Sequence, residues 1–219
     1  MKHIARLTHI AMPAAVVMAF LFAPAVDVHG ETGRLLFFHV PLAWIAALAF
    51  AVAGALSIVH LADRSGRWAH LDAKARHSAA IGLAATVLAT ATGSVWAKMS
   101  WGSYWNWDPR ETSIIILMLV YIAYFSLDSA LAGRGNRGRV ASAYLIIAMA
   151  AMPFFIFIFP RLFGSLHPRS GSLETDAVTR ITLLVSIAAH TLLYLYVFSL
   201  KNRVFALEHD MGKRAPWTP

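Results

Sequence analysis

The chain has 219 residues, of which 58% are hydrophobic and 14% charged, with a formal net charge of +8. So apolar a composition excludes an ordinary soluble domain and indicates an integral membrane protein, in which positive charge reports on topology rather than on nucleic-acid binding. The sequence contains no cysteine, which excludes a disulfide framework, a thiolate metal site and thioether attachment of a prosthetic group.

Six apolar runs are long enough, or nearly so, to cross a bilayer, which takes about 20 helical residues. They cover residues 10–26, 40–61, 78–97, 113–131, 140–159 and 178–200. The sequence therefore predicts an all-α polytopic membrane protein with six transmembrane helices, forming a single integral membrane domain over residues 1–219. Pro153 lies within the fifth run and predicts a kink there, because proline removes a backbone hydrogen bond.

The distribution of charge predicts the orientation of these helices. Lys and Arg outnumber Asp and Glu at both chain ends and in the connections 62–77 and 132–139, whereas the connections 27–39, 98–112 and 160–177 have no excess of positive charge. Cytoplasmic loops carry the excess of positive charge. Both termini are therefore predicted to be cytoplasmic, and the three loops without this excess to lie on the outer face.

The second outer loop is crowded with aromatic residues: Trp101, Tyr104, Trp105 and Trp107. Trp and Tyr collect where a membrane meets water, so one interpretation is an interfacial belt. The density of rings favours another, a platform on which a flat ligand stacks. If residues 102–107 are helical, Trp101, Tyr104 and Trp105 lie with Asp108 along one face of that helix.

The residues that follow are typical of a helix start. Asp108 stands at the N-cap position, Pro109 at the first helical position and Glu111 at N3, which is the pattern of a capping box. Pro109 also disfavours helical geometry at Asp108, so the aromatic segment and the next helix are predicted to meet at a bend. Capping is the favoured role for Asp108, and contact with a ligand is left open.

Each of the other two outer loops contains a candidate metal ligand, His39 and His167. Neutral imidazole commonly ligates haem iron, and a stacking surface between two imidazoles suits an iron porphyrin, whose propionates need cationic partners. The arginines in these loops are Arg34, Arg110, Arg161 and Arg169. The alternatives are ordinary interfacial histidines, and arginines that anchor the protein at lipid headgroups, which is the favoured role for Arg161 and Arg180.

His190 lies in the middle of the sixth run, where an ionisable side chain is costly and is therefore a functional candidate. It would either ligate haem within the bilayer or form a hydrogen bond to a neighbouring helix, and the second interpretation is favoured.

Three motifs occur together: Phe38-His39-Val40-Pro41 with Arg34 upstream, the tryptophan-rich segment, and Leu166-His167. They resemble the two histidine motifs and the tryptophan-rich core of the haem exporter protein C family of cytochrome c maturation, a WWD-domain family. The residues that match its core are Trp101, Gly102, Trp105, Trp107, Asp108, Arg110 and Thr112. Tyr104 stands where many members have Trp, and residues 109–112 resemble the longer synthase-type family of the other maturation pathway.

The resemblance implies a haem-handling protein of c-type cytochrome biogenesis that holds haem b, noncovalently and transiently, at the periplasmic face of the bacterial inner membrane. The implied haem-binding residues are Trp101, Gly102, Tyr104, Trp105, Trp107, Asp108, Arg110 and Arg34, with His39 and His167 as axial ligands of the iron. The implied partners are ATP-binding cassette transporter subunits, a small single-span accessory protein and a periplasmic haem chaperone that receives the haem. ATP hydrolysis would belong to those partners, since the chain has no phosphate-binding loop, so a transfer protein rather than an enzyme is expected.

Other functions are left open beside synthase-type haem delivery. A membrane electron carrier of b type predicts paired histidines on facing helices inside the bilayer, and only His190 lies deep in a span. A transporter for a small solute predicts polar or broken spans at mid-membrane, for which His190 and Pro153 are the main signs.

Overall fold

The computed structural model describes residues 2–24, 30–167 and 176–214, and most of these residues are helical. The helices are α1 Lys2–Val17, α2 Leu36–Ala62, α3 Leu71–Trp101, α4 Pro109–Ala130, α5 Arg137–Pro153, the short α6 Phe159–Leu162 and α7 Ala177–Arg214. The π-helical turns Met18–Phe22 and Phe154–Ile158 extend α1 and α5, and a 3-10 turn, Glu31–Leu35, precedes α2.

Within the described residues, six helical segments are long and apolar enough to cross a membrane, which confirms the predicted number. They are Lys2–Phe22, Gly33–Ala62, Leu71–Trp101, Pro109–Ala130, Arg137–Leu162 and Ala177–Glu208. Several are longer than the predicted apolar runs, because hydropathy marks the part of a helix that suits hydrocarbon while its backbone hydrogen bonds continue into the polar interface. If each segment crosses once, the connections 63–70 and 131–136 lie on one side, here named the basic face. Residues 102–108 then lie on the opposite side, named the Trp-rich face.

α2 is the central helix of the bundle and packs against α3, α5 and α7. Small residues allow this close approach: a Cβ on Gly82 would overlap the ring of Phe50, and one on Gly54 would overlap the side chain of Met149. Phe50 also stacks on Tyr121 of α4, with ring centroids 3.4 Å apart. Such packing holds helices together in a membrane, where apolar transfer gives no driving force between them.

α5 changes conformation at Pro153, where the sequence predicted a kink. Regular α-helix ends at this residue, and the π-helical turn Phe154–Ile158 continues the chain into α6. Proline has no amide hydrogen to donate to the preceding turn, and a locally wider turn accommodates that loss. This turn contains three phenylalanines and packs on α4, α5 and α6.

On the basic face, Asp128 near the end of α4 joins three helices. Its carboxylate accepts hydrogen bonds from Arg137 Nε at 2.8 Å and Nη2 at 2.6 Å. Arg76 Nη1 of α3 lies 3.7 Å from the same carboxylate. In addition, His77 Nδ1 lies 2.8 Å from Asn202 Oδ1, which links α3 to α7. These contacts fix the ends of the helices at the basic face relative to one another.

Candidate functional site

A cavity of about 490 Å³ lies between α2, α3, α4 and the π-turn of α5, at the Trp-rich end of the bundle. Its volume is within the range of small-molecule sites. Of the residues predicted from the sequence, the cavity brings together His39, His167, Trp105, Arg110 and Arg161. Most of its other lining residues are small or apolar, and they include Ala43, Ala47, Thr86, Gly93, Leu117, Phe155 and Phe157. The two histidines, which are far apart in the sequence, therefore share one cavity.

Asp108 begins α4 and is the central polar group beside this cavity. It is the N-cap, as predicted: its Oδ1 accepts a hydrogen bond from Arg110 N at 2.8 Å. Glu111 Oε2 accepts one in return from Asp108 N at 3.2 Å, which completes the capping box. Pro109 occupies the first helical position, and Asp108 has an extended ψ of 144°, so the chain bends here as expected.

The same carboxylate also holds the loop between α6 and α7. Its Oδ2 accepts hydrogen bonds from Ser165 Oγ at 2.9 Å and from Leu166 N at 2.6 Å. His167 Nδ1 lies 2.9 Å from its Oδ1. Burial of the carboxyl would by itself raise the pKa of Asp108, but the hydrogen bonds from the amides of Arg110 and Leu166 and from the Ser165 hydroxyl, together with the attraction of His167, hold the pKa below its ordinary value. Asp108 is therefore ionised and ties this loop to the start of α4.

His167 is oriented by this carboxylate and by two indole rings. Trp101 meets the imidazole edge to face, with 4.8 Å between ring centroids, and Trp96 lies 6.1 Å away at an angle of 31°. Burial lowers the pKa of His167, and it outweighs the opposing attraction of the Asp108 carboxylate. The imidazole is therefore neutral at pH 7. Since a carboxylate only accepts hydrogen bonds, Nδ1 carries the proton and Nε2 keeps its lone pair.

His39, near the start of α2, is oriented by the backbone of α3. Its Nδ1 lies 3.0 Å from the carbonyl oxygen of Ala89 and 3.2 Å from Thr92 Oγ1. A carbonyl oxygen only accepts hydrogen bonds, so Nδ1 of His39 carries the proton and Nε2 keeps its lone pair. Gly93 leaves room for the ring, because a Cβ at that position would lie 2.8 Å from His39 Cε1. In both histidines of the cavity, the nitrogen left for a ligand is Nε2.

The tryptophan-rich segment is a loop, so the helical conformation considered for residues 102–107 is wrong. α3 ends at Trp101, and Gly102 follows in the left-handed conformation with φ of 81°. Glycine adopts this conformation without steric cost and commonly ends a helix. Glu111 Oε2 then holds the loop from the other side by accepting a hydrogen bond from Asn106 N at 2.7 Å.

The rings of this loop lie in two different settings rather than along one helix face. Trp101 packs on His167, and Trp105 lines the cavity. Tyr104 and Trp107 are exposed, with exposed fractions of 60% and 76%. Trp107 also has a φ of 56°, a left-handed conformation that is costly for a bulky side chain and that persists where the surrounding structure imposes it.

The arginines predicted for the site are divided between two places. Arg110 and Arg161 line the cavity, and Arg161 Nη1 also donates a hydrogen bond to the carbonyl of Phe157 at 2.8 Å. Arg161 was expected to be a lipid anchor, and its side chain is exposed as well as adjacent to the cavity. Arg169 lies outside the described residues.

Arg34 lies in the 3-10 turn before α2 and is not among the residues that line the cavity. Its guanidinium donates hydrogen bonds to the carbonyls of Ala19 and Ala23, the second at 2.9 Å. Ala19 lies in the π-turn Met18–Phe22 and Ala23 directly follows it, at a helix end where some backbone carbonyls have no acceptor role within the helix. A role of Arg34 toward a ligand stays a prediction.

His190 is buried in α7, and its observed hydrogen bond is within that helix. Nδ1 lies 2.8 Å from the carbonyl oxygen of Ser186, one turn earlier, instead of bonding to a neighbouring helix as the sequence analysis favoured. The residue is also not among those that line the cavity. A local carbonyl is the nearest acceptor for a polar side chain inside a helix, so no helix contact is needed to satisfy Nδ1.

Sequence reasoning missed three residues of the site: Trp96, Ser165 and Gly93. Trp96 meets Trp101 edge to face at 5.1 Å between ring centroids, and its only signal was a tryptophan near the end of an apolar run. Ser165 and Gly93 act on partners that are distant in the sequence, so no local pattern marks them.

Comparison with known proteins extends over nearly the whole chain. Residues 1–216 match the sequence profile of a family described as heme exporter protein C. The heme exporter protein C of Bradyrhizobium diazoefficiens is 34% identical over 182 residues, which cover 80% of this chain and 68% of the relative. That of Escherichia coli K12 is 31% identical over 208 residues, with coverages of 92% and 80%. That of Haemophilus influenzae is 28% identical over 219 residues, with coverages of 96% and 85%.

Proposed function

The chain belongs to the heme exporter protein C family, and we propose that it binds haem noncovalently in the cavity at its Trp-rich face and passes it to a haem chaperone. Membership of this family makes the chain a membrane component of haem handling in cytochrome c biogenesis. It also decides against the longer synthase-type family, which residues 109–112 had suggested.

The observation that supports the proposal most strongly is that two imidazoles line one cavity and both form their hydrogen bond through Nδ1. His39 donates a hydrogen bond from Nδ1–H to a backbone carbonyl, and His167 donates one from Nδ1–H to the carboxylate of Asp108. Each neutral ring therefore keeps its lone pair on Nε2, the state required of an axial ligand to haem iron. Hydrogen bonding of the other ring nitrogen fixes a ligand's orientation and raises its basicity.

The remaining lining of the cavity suits the rest of a haem. Trp105 offers an indole face or edge to the macrocycle, and Leu117 and Phe155 offer apolar surface. Arg110 and Arg161 are the cationic groups suited to the propionates. Trp101 supports His167 and thereby acts on the haem through its ligand.

Transfer requires that one ligand yields, and we propose that His167 does so. His39 is part of a long helix and is fixed by the backbone of α3. His167 ends the described part of a loop in which Ser165, Leu166 and His167 all form hydrogen bonds to one carboxylate, that of Asp108. Displacing this loop breaks a few hydrogen bonds at one point, whereas displacing His39 would require moving a helix.

The positive-inside rule supports an orientation with both termini in the cytoplasm of a bacterial cell and the Trp-rich face in the periplasm. The proposed partners are ATP-binding cassette subunits, a small single-span protein and the periplasmic chaperone. The relatives are named as exporters, and we propose that this chain transfers haem without catalysing a reaction, ATP hydrolysis being left to the partner subunits.

Absorbance spectra of the purified, haem-loaded protein test this function. Replacing His39 or His167 by Ala should each change the Soret band, because the iron loses one axial ligand, and exogenous imidazole should restore it. His190→Ala is the matched control and should leave the spectrum unchanged, since this residue does not line the cavity. Unchanged spectra in both His39→Ala and His167→Ala would refute the ligand assignment.

A further inference from the structure

The cavity extends from the Trp-rich face down into the bundle. His39 and Phe50 both line it and lie on the same helix, so at 1.5 Å per residue the cavity covers about 16 Å along α2. That is about half of the roughly 30 Å hydrocarbon core of a bilayer. Its floor is closed where Phe50 stacks on Tyr121. Most of the cavity is therefore at the depth of one lipid leaflet.

One side of this cavity lies between α2 and the π-turn of α5, which pack against each other less closely than α2 and α5 do. α2 packs closely against α5, with Gly54 in contact with Met149. Beyond Pro153 the π-turn Phe154–Ile158 packs on α4, α5 and α6, and it has no comparable packing with α2 in the described parts of the chain. The break in α5 thus opens a gap between the two helices on the side of the Trp-rich face.

The edges of this gap carry exposed aromatic side chains. Trp44 of α2 is 47% exposed and Phe157 of the π-turn 54% exposed, and both also line the cavity. Trp44 Nε1 donates a hydrogen bond to Thr191 Oγ1 of α7 at 3.2 Å, which fixes the position of this indole. The residues of α2 that line the cavity next to Trp44 include the small Ala43 and Ala47.

We propose that haem enters this cavity sideways, out of the adjacent lipid leaflet, through the gap between α2 and the π-turn of α5, here named the side opening. The proposal rests on the proposed function in its choice of haem as the occupant. The opening itself follows from the packing and stands independently of the haem ligands.

The polarity of the cavity matches a ligand that arrives from lipid. Haem in a bilayer keeps its apolar disc among the acyl chains and its propionates at the headgroups. The cavity has the same polarity, with Arg110 and Arg161 near the Trp-rich face and Phe50 and Leu117 at its floor. A sideways movement therefore keeps the disc in apolar surroundings throughout, whereas entry from water would first expose it.

Cysteine labelling tests the side opening directly, because the chain has no cysteine of its own. Full-length Ala47→Cys in nanodiscs would be treated with a lipid-soluble maleimide or a sulfonated maleimide that cannot enter lipid. Ile58→Cys, on the exposed lipid-facing part of α2, and Ser103→Cys, on the exposed loop, are the matched controls for the two reagents. We expect Ala47→Cys to react at least about 10-fold faster with the lipid-soluble reagent, because a charged reagent is excluded from hydrocarbon. Equal or reversed rates, or no reaction with either reagent, would overturn the opening.

Preloading with haem then tests the occupant. Bound haem should protect Ala47→Cys from the lipid-soluble reagent and leave Ile58→Cys reactive. Labelling of Ala47→Cys that is unchanged by haem would show that lipid alone occupies the opening. In that case a normal haem spectrum refutes only the side route, whereas a missing Soret band refutes the proposed function and leaves the opening standing.

The rate of haem loading from haem-containing liposomes tests the route. Ala47→Cys carrying the lipid-soluble label should load at least about 10-fold more slowly than Ser103→Cys carrying a bulky water-soluble label. This ratio corresponds to a difference of about 1.4 kcal/mol in the activation barrier. Any smaller ratio, including faster loading of the protein labelled at Ala47→Cys, would overturn sideways entry.

Discussion

The two ends of α4 each carry a buried aspartate, and the two carboxylates have different kinds of partner. Asp128, at the basic face, accepts two hydrogen bonds from the Arg137 guanidinium and lies near Arg76. Asp108, at the Trp-rich face, accepts hydrogen bonds from two amides, a hydroxyl and the neutral imidazole of His167. Asp128 therefore joins helices, whereas Asp108 orients a side chain.

The two kinds of partner differ in whether they keep a lone pair that can bind a ligand. A guanidinium paired with a carboxylate has only donors and offers no lone pair to a ligand. An imidazole that donates from Nδ1 keeps the lone pair of Nε2, and the carboxylate behind it makes that nitrogen a better ligand. Both aspartates stabilise the bundle, but only Asp108 prepares a group for binding.

The largest expected effect is on stability, from Asp128→Ala. The substitution leaves Arg137 and Arg76 without this carboxylate, and because their side chains are 29% and 30% exposed, water offsets part of the loss. We expect a cost of about 2–3 kcal/mol, measured by unfolding in detergent mixtures, with an unchanged haem spectrum. Haem affinity that falls together with stability would show that the two ends of α4 are not independent.

The next largest effect is on haem affinity, from Asp108→Asn. Asparagine still caps a helix well, but its NH2 group cannot accept the hydrogen bonds that one carboxylate oxygen now accepts, so stability should fall by about 1–2 kcal/mol. Loss of the charge behind His167 should weaken haem binding by about 10–100-fold, measured by absorbance titration. If affinity is kept, Asp108 is only a structural cap and the comparison with Asp128 fails.

Substitutions at two glycines, one at each face, should have effects of intermediate magnitude on haem affinity. A Cβ on Gly93 would lie 2.8 Å from His39 Cε1, and one on Gly138 would lie 3.0 Å from Asp72 Oδ2 at the basic face. Gly93→Ala should tilt the ligand and weaken haem binding by about 10-fold, since ligand geometry tolerates errors of only about 0.5 Å. Gly138→Ala should leave haem binding unchanged, and equal effects of the two substitutions on affinity would contradict this assignment.

The smallest effect that we expect is a dependence of stability on pH, which follows from the shift of the pKa of His167 away from the ordinary histidine value of 6.5. Burial holds the pKa of His167 below that value, so the folded state favours the neutral ring. The contribution of this neutral ring to stability is therefore present above the pKa that His167 has in the unfolded chain. It is lost as the pH falls from that value towards the lower pKa of His167 in the folded protein. A proton at Nε2 also competes with iron, so haem should be released over the same acidic range.

The effect of Asp108 on this titration has a definite sign. The carboxylate attracts the imidazolium and raises the pKa of His167 against burial. Asp108→Asn removes that attraction, so the pKa of His167 should fall further, whereas Asp128→Ala should not move it. An NMR titration of ring-labelled histidine in the apoprotein measures both, and a rise in Asp108→Asn would show that the carboxylate does not face this ring.

Much of the fold was predictable because it depends on local composition. Six apolar runs gave six helices, and Asp108-Pro109-Arg110-Glu111 gave a capped helix start. The helical conformation considered for residues 102–107 was wrong, because the aromatic residues are spaced as on a helix whereas Gly102 ends α3 before them. His39 and His167 were selected as a pair, but their hydrogen-bond partners were not identified.

The amino-acid order alone settles how many helices suit a membrane, where positive charge gathers and which residues begin α4, since each depends on composition or on near neighbours in the chain. The fold settles that Asp108 meets His167 and that Ala89 meets His39, and therefore which ring nitrogens keep their lone pairs. The physical reason is that a hydrogen bond depends on distance and direction in space, and between residues far apart in sequence these are fixed only by helix packing.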